Sequence, residues 1–195
     1  MSDVPSRAEA LALMQEYTES ENLRKHMYAV EAAMRAYARK YGEDEELWGV
    51  VGLIHDYDYE RFPNDARSPT EEHPSSGVAI LRERGWPDEI LHAVMAHAEH
   101  TGVEPETLMA RTLRAVDELT GFVTACALVR PSRISDLKSK SVKKKLKDRS
   151  FAAAVNRDEI RTYTEYIGED LTEHIDFVID AMREIAATLE LEGHA

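Results

Sequence analysis

From Asn22 to Tyr41 the apolar side chains Leu23, Met27, Val30, Met34, Tyr37 and Tyr41 recur every three or four residues. A helix turns by about 100° per residue, so it gathers such a set on one face. The period returns along most of the chain, and no stretch alternates apolar and polar residues as a half-buried strand would. The sequence therefore predicts an all-α protein. Ser6-Arg7-Ala8-Glu9 has the spacing of a capping box and opens a first helix through ALALMQEY. Gly42 ends the second helix, and a third runs from near Asp44 to Ile54. Residues 57–72, YDYERFPNDARSPTEE, hold two prolines and an Asn-Asp pair and read as a loop. Helices are then expected from Pro74 to about Arg84, from Pro87 to near Gly102, and over roughly 105–129. Pro131 breaks the last of these, and a basic segment begins. Asn156 and Glu159 cap a further helix to about Tyr166, and residues 170–191 form the final one.

A chain of 195 residues suits one domain with a sizeable core. Residues 1–130 are expected to form that helical core, with the basic segment and C-terminal helices of 131–195 packed on the same domain. The net charge is −13, which on average repels nucleic acid. Its distribution is uneven. Residues 130–149 hold nine Lys or Arg against two Asp, a local excess of seven positive charges. A basic island on an acidic body points to a local anion site rather than a surface that coats nucleic acid. The island also lacks the interleaved aromatics on which bases stack. Cys126 is the only cysteine, which excludes an internal disulfide and a zinc-thiolate cluster, and its setting in GFVTACALV reads as a small buried apolar residue. The first ten residues carry no basic and apolar leader, and no apolar run approaches the roughly 20 residues that span a bilayer. A cytoplasmic protein without a membrane partner is the expectation. Oligomeric state stays open, a homodimer included.

The apolar run ELWGVVGLI leads straight into His55 and Asp56. The other histidines are His26, His73, His92, His97, His100, His174 and His194. His26 shares the apolar face of its helix with Leu23, Val30 and Tyr37, and His97 shares one with Ile90 and Val94. Asp117 lies in the apolar stretch LRAVDELTGFV, and His73 follows directly on a polar loop. A carboxylate turned inward is expensive to bury without a partner. Several imidazoles and carboxylates turned to one place are reconciled by a divalent metal.

The order His26, His55-Asp56, His73, His97, Asp117 resembles the H…HD…H…H…D series of the HD-domain superfamily. The resemblance covers about residues 22–125, and the segments HPSSGVAIL and AVMAHAEHTG resemble parts of its dinuclear members. It implies an all-α HD-domain bundle with a C-terminal helical extension, and two divalent metal ions. Iron or manganese is preferred; magnesium, cobalt, nickel and zinc accept the same nitrogen and oxygen donors. By the resemblance, His26, His55 and Asp117 hold one ion, His73 and His97 the other, and Asp56 bridges them. The implied activity is phosphohydrolysis, in which a metal-activated hydroxide attacks a small phosphate ester or nucleotide. Alternatives on the same scaffold are a diiron oxygenase and a non-catalytic metal-binding or regulatory module.

The chain departs from some members of the superfamily. Tyr59 stands three residues after Asp56, where some mononuclear nucleotidases carry Glu, and no Gly-Tyr-Pro signature is present. The nearest carboxylates are Asp58 and Glu60. Asp58 joins Asp56 as a candidate catalytic residue, and Glu60 reads as loop surface. In the basic island, Arg133, Lys138 and Lys140 are the candidate substrate contacts, since a phosphorylated substrate needs cations beyond the metals. The KKK run at 143–145 reads equally as a solvated helix face.

Overall fold

The computed structural model describes residues 4–193. Among them lie ten α-helices and one 3-10 turn, with no strand. Two compact units divide the chain, Met1–Leu113 and Arg114–Ala195, and the division falls within helix α6 (Leu108–Leu128). No helix among the described residues is long and apolar enough to cross a membrane.

The first unit holds α1 (Arg7–Tyr17), α2 (Glu21–Tyr41), α3 (Glu45–Ile54), α4 (Ser75–Glu83) and α5 (Asp88–Ala96). The Ser6–Glu9 capping box forms, satisfying two amide donors that a helix start leaves open. Asp44 caps α3 through the amides of Glu46 and Leu47, and Gly42 ends α2 in the left-handed conformation that glycine adopts without strain. Met27, Val30, Met34 and Tyr37 of α2 are fully buried, as are Val50, Val51, Leu53 and Ile54 of α3. These two helices cross closely because α3 carries glycines at the contact. A Cβ on Gly52 would stand 2.9 Å from the Glu31 Cα, and one on Gly49 would strike the Arg35 guanidinium at 2.5 Å. The buried Glu31 carboxylate lies between two arginines, taking Arg7 Nε at 2.6 Å and Arg35 Nε at 2.9 Å. Paired in this way, a buried charge is tolerated.

The helix expected to reach Gly102 stops at Ala96, and a 3-10 turn over Glu99–Thr101 follows. Ala98 is extended there, and the Thr101 hydroxyl donates to the open carbonyls of Met95 and Ala98. His97 consequently terminates α5 instead of lying along its face.

The second unit continues with α7 (Ser139–Leu146), α8 (Arg157–Tyr166), α9 (Leu171–Glu184) and α10 (Ala186–Leu189). Asn156 caps α8 through the Glu159 amide. The basic segment holds a helix of its own. Asp176 anchors the start of α7 by accepting from the Ser139 amide at 2.8 Å and hydroxyl at 2.6 Å, while Val142 and Leu146 are buried. The final helix, expected to run unbroken to residue 191, breaks at Ile185. Beyond the break the chain turns back, and the Leu191 carbonyl accepts from the Ile134 amide at 3.1 Å. His174 is a core residue whose Nε2 donates to the Ala115 carbonyl at 2.9 Å. His194 lies outside the described residues.

Candidate metal centre

Two histidines of the first unit owe their orientation to helix ends. The last carbonyls of a helix lack partners within it, so a side-chain donor placed just beyond is well received. His55 caps α3 and donates Nδ1–H to the Gly52 carbonyl at 2.8 Å. His97 caps α5 and donates Nδ1–H to the Val94 carbonyl at 2.5 Å. A carbonyl only accepts, so these bonds fix the proton on Nδ1 and leave a lone pair on Nε2. That is the tautomer and orientation required of an imidazole ligand.

His73 is fixed by a carboxylate. Its Nδ1–H donates to Asp58 Oδ1 at 2.7 Å, and its amide donates to the Phe62 carbonyl at 2.8 Å. Asp58 is wholly buried, and its other oxygen accepts the Gly77 amide at 2.8 Å. Only glycine fits at that approach, because a Cβ on residue 77 would lie 2.5 Å from Asp58 Cγ. Tyr57 closes the same corner, donating its hydroxyl to the Gly77 carbonyl at 2.8 Å. The loop that the prolines announce is thus tied down at its base. Glu60, read as loop surface, accepts the amides of Glu19 and Ser20 at 3.0 and 2.9 Å.

The four imidazoles converge on Asp56. Its Oδ1 lies 3.2 Å from His73 Nε2 and 3.4 Å from His97 Nε2. Its Oδ2 lies 3.5 Å from His55 Nε2 and 3.7 Å from His26 Nε2. Within the pairs, Nε2 of His73 and His97 are 3.2 Å apart, and Nε2 of His55 and His26 are 3.3 Å apart. Facing lone pairs at such distances repel unless positive charge lies between them. Burial works against a charged Asp56, yet the neighbouring His55 and the hydrogen bonds from His73 and His97 hold its carboxyl well below the usual range. Burial likewise opposes a charged His73, but the hydrogen bonds to Asp56 and Asp58 outweigh it and raise the ring to about 10. The two shifts describe one ion pair, a His73 imidazolium against the Asp56 carboxylate, and an ion bound at His73 Nε2 would take the place of that proton.

The donor set meets the requirements of a divalent ion. Asp56, His73 and His97 offer ligand atoms within 4.8 Å of one another. Nitrogen and carboxylate donors without thiolate suit first-row metals, and each tethered Nδ1 supplies the outer hydrogen bond that metal-bound histidines make. Two further groups border the centre. His100 Nε2 reaches the His73 carbonyl at 3.1 Å, with its pKa lowered chiefly by burial, and the half-exposed Tyr59 ring lies edge-on to His73 at 5.1 Å.

The remaining expected residues belong to the second unit. Asp117 lies on α6, where its carbonyl accepts from the Thr120 hydroxyl at 2.9 Å. Lys138 is the exposed N-cap residue of α7, and Lys140 is exposed on its first turn. Arg133 sits in the turn before α7 with a φ of 50°. The sequence reading missed how Asp58 positions His73. The signal was an acidic residue two places after the HD pair with a glycine three residues beyond His73-Pro74, but only tertiary contact relates them.

Comparison with known proteins adds to this geometry. The pattern that describes the HD domain matches residues 23–121. The chain is 29% identical over 184 residues to ribonuclease Y of Desulforudis audaxviator (strain MP104C). The match takes in 89% of this chain and 33% of that protein, so the chain spans about a third of the length of this relative. No solved structure matches it.

Proposed function

The chain belongs to the HD-domain family, within a superfamily of metal-dependent phosphohydrolases, and we propose that it hydrolyses a small phosphate ester or nucleotide at a centre of two divalent ions. The observation that carries this reading is the division of labour within Asp56, whose Oδ1 faces His73 and His97 while Oδ2 faces His55 and His26. A carboxylate with one oxygen toward each pair of ligands is suited to bridge two ions. The resemblance of the H…HD…H…H…D series implies Asp117 as a further ligand for the ion at His26 and His55. When bound, two such ions would supply a hydroxide near neutral pH and neutralise charge developing at a phosphoryl oxygen.

The protein's own residues do the positioning. His55, His97 and His73 present Nε2 because their Nδ1 protons are committed to Gly52, Val94 and Asp58. Asp58 acts through His73 and is a positioning residue. The ribonuclease named among the relatives makes a phosphodiester the first substrate class to assay.

The test is the metal content of protein purified without chelator, measured by elemental mass spectrometry beside the double variant His73→Ala, His97→Ala. About two ions per chain should fall to about one, together with turnover of bis(p-nitrophenyl) phosphate. One ion in both proteins would replace the two-ion centre with a mononuclear one. No metal in either, even after reconstitution, would overturn the hydrolase reading. Iron accompanied by O₂-dependent turnover, without phosphodiester cleavage, would move the chain to oxygenase chemistry.

A further inference from the structure

The second unit contains a cavity of about 350 Å³, within the range of small-molecule sites, lined wholly by residues from Cys126 to Asp148. Three of its lining side chains are cations, Arg130, Lys144 and Lys145, and Asp148 is the one carboxylate among them. These three cations are committed to different degrees. Lys144 is exposed and has no ion-pair partner among the described residues. Arg130 pairs one terminal nitrogen with Asp136 at 2.7 Å, but its Nε is buried with no hydrogen-bond partner. Lys145 rests its ammonium 4.3 Å over the Phe151 ring, without a salt bridge. The Arg130 side chain is partly exposed, but a buried N–H left open on it calls for an acceptor.

The rest of the lining is of another kind. Cys126, Val129 and Leu137 give one apolar side, and Ser141 adds a hydroxyl. Burial pushes the Cys126 thiol up to about 11 despite the opposing pull of Lys145 and Arg130, so that side stays neutral. The excess of cations over carboxylate matches the two charges of a phosphate monoester. Tetrahedral oxyanions accept from guanidinium and ammonium groups together, and an apolar body would lie against the neutral side.

We propose that this cavity binds a small phosphate monoester carrying an apolar or aromatic body, with Arg130, Lys144 and Lys145 on the phosphate and Cys126 and Leu137 against the body. None of its lining residues is a donor of the metal centre, and the proposal stands on the second unit alone. It moves the anion contacts from Arg133, Lys138 and Lys140 to other members of the same basic island.

The probe is phenylphosphonate, whose C–P bond resists hydrolysis, titrated calorimetrically into the 195-residue protein. Binding should exceed that of inorganic phosphate, weaken as salt rises, and persist within about twofold in Asp56→Ala. Lys144→Ala, a substitution at an exposed position, should weaken it by roughly fivefold, and Lys144→Ala with Arg130→Gln should abolish it. Binding unchanged by both sets of substitutions, lost in Asp56→Ala, or absent at millimolar probe would overturn the proposal. Loss in Asp56→Ala alone would assign the probe to the metal centre and leave the hydrolase reading untouched.

Discussion

His73 and Lys144 are both polar groups beside a candidate binding site, and they are held in opposite ways. His73 is buried, with one ring nitrogen on Asp58 at 2.7 Å and the other 3.2 Å from Asp56. Lys144 is exposed, with no ion-pair partner among the described residues. A transition metal demands fixed distances and angles, and ordering its ligands beforehand spares that cost at binding. A phosphate tolerates many directions of approach, so flexible cations suffice and stay hydrated until the anion arrives. The metal centre should therefore fail sharply when one residue changes, and the basic cavity should weaken by degrees.

The sharpest failure is expected at Asp56. Asp56→Ala removes the one carboxylate facing all four imidazoles, and metal occupancy should be lost. Phosphodiesterase activity should fall by more than the roughly 10–100-fold that loss of an outer partner costs. Full metal occupancy in that variant would end the bridging assignment.

Next is Asp58→Asn, which keeps the shape behind His73 and removes the charge. Metal affinity or activity should fall by about 10–100-fold, with the fold retained by circular dichroism. A drop confined to thermal stability would reduce Asp58 to a structural acceptor of the Gly77 amide.

A smaller, graded effect is expected with pH. His73, raised to about 10, contributes stability that is complete below about 6.5 and lost as pH rises through about 10. Asp56, held below 3.8, contributes stability above that value and loses it as pH falls through its lower folded pKa. Chelated protein should melt highest between roughly pH 4 and 6.5 and lose Tm as pH rises beyond that. Metal-loaded protein should hold its Tm to higher pH, because the ion replaces the His73 proton. Scanning calorimetry across this range checks it, and a flat Tm from pH 6.5 to 9 in chelated protein would mean that His73 binds no extra proton.

What the sequence disclosed of this contrast follows from the range of each interaction. Capping at Ser6, Asp44 and Asn156 is decided within a few residues, as is the end of α2 at Gly42, so the sequence carries those features openly. The apolar period of α2 likewise names the face that carries Met27, Val30 and Met34 into the core. The order of His26, His55, Asp56, His73 and His97 is legible, but their convergence on the two oxygens of Asp56 is not, because it depends on how α2, α3, α4 and α5 pack. The early stop of α5 escaped notice because nothing in AVMAHAEHTG breaks a helix before Gly102; the Thr101 hydroxyl does so by competing for carbonyls. The cavity was hidden for a similar reason. Arg130 and Lys144 lie in the same basic island, but its run of charge reads equally as a solvated helix face, and only the folded segment from Cys126 to Asp148 sets them around one cavity.

The caps on α3 and α5 have a consequence in time. The hydrogen bonds that finish these helices, His55 to Gly52 and His97 to Val94, are the same bonds that keep Nε2 ready as a ligand. Helix ends open far more often than whole domains unfold. Each opening would free an imidazole to rotate and its proton to change nitrogen. The residence time of an ion here would then be governed by the fraying of two helix ends as much as by the strength of its coordination bonds.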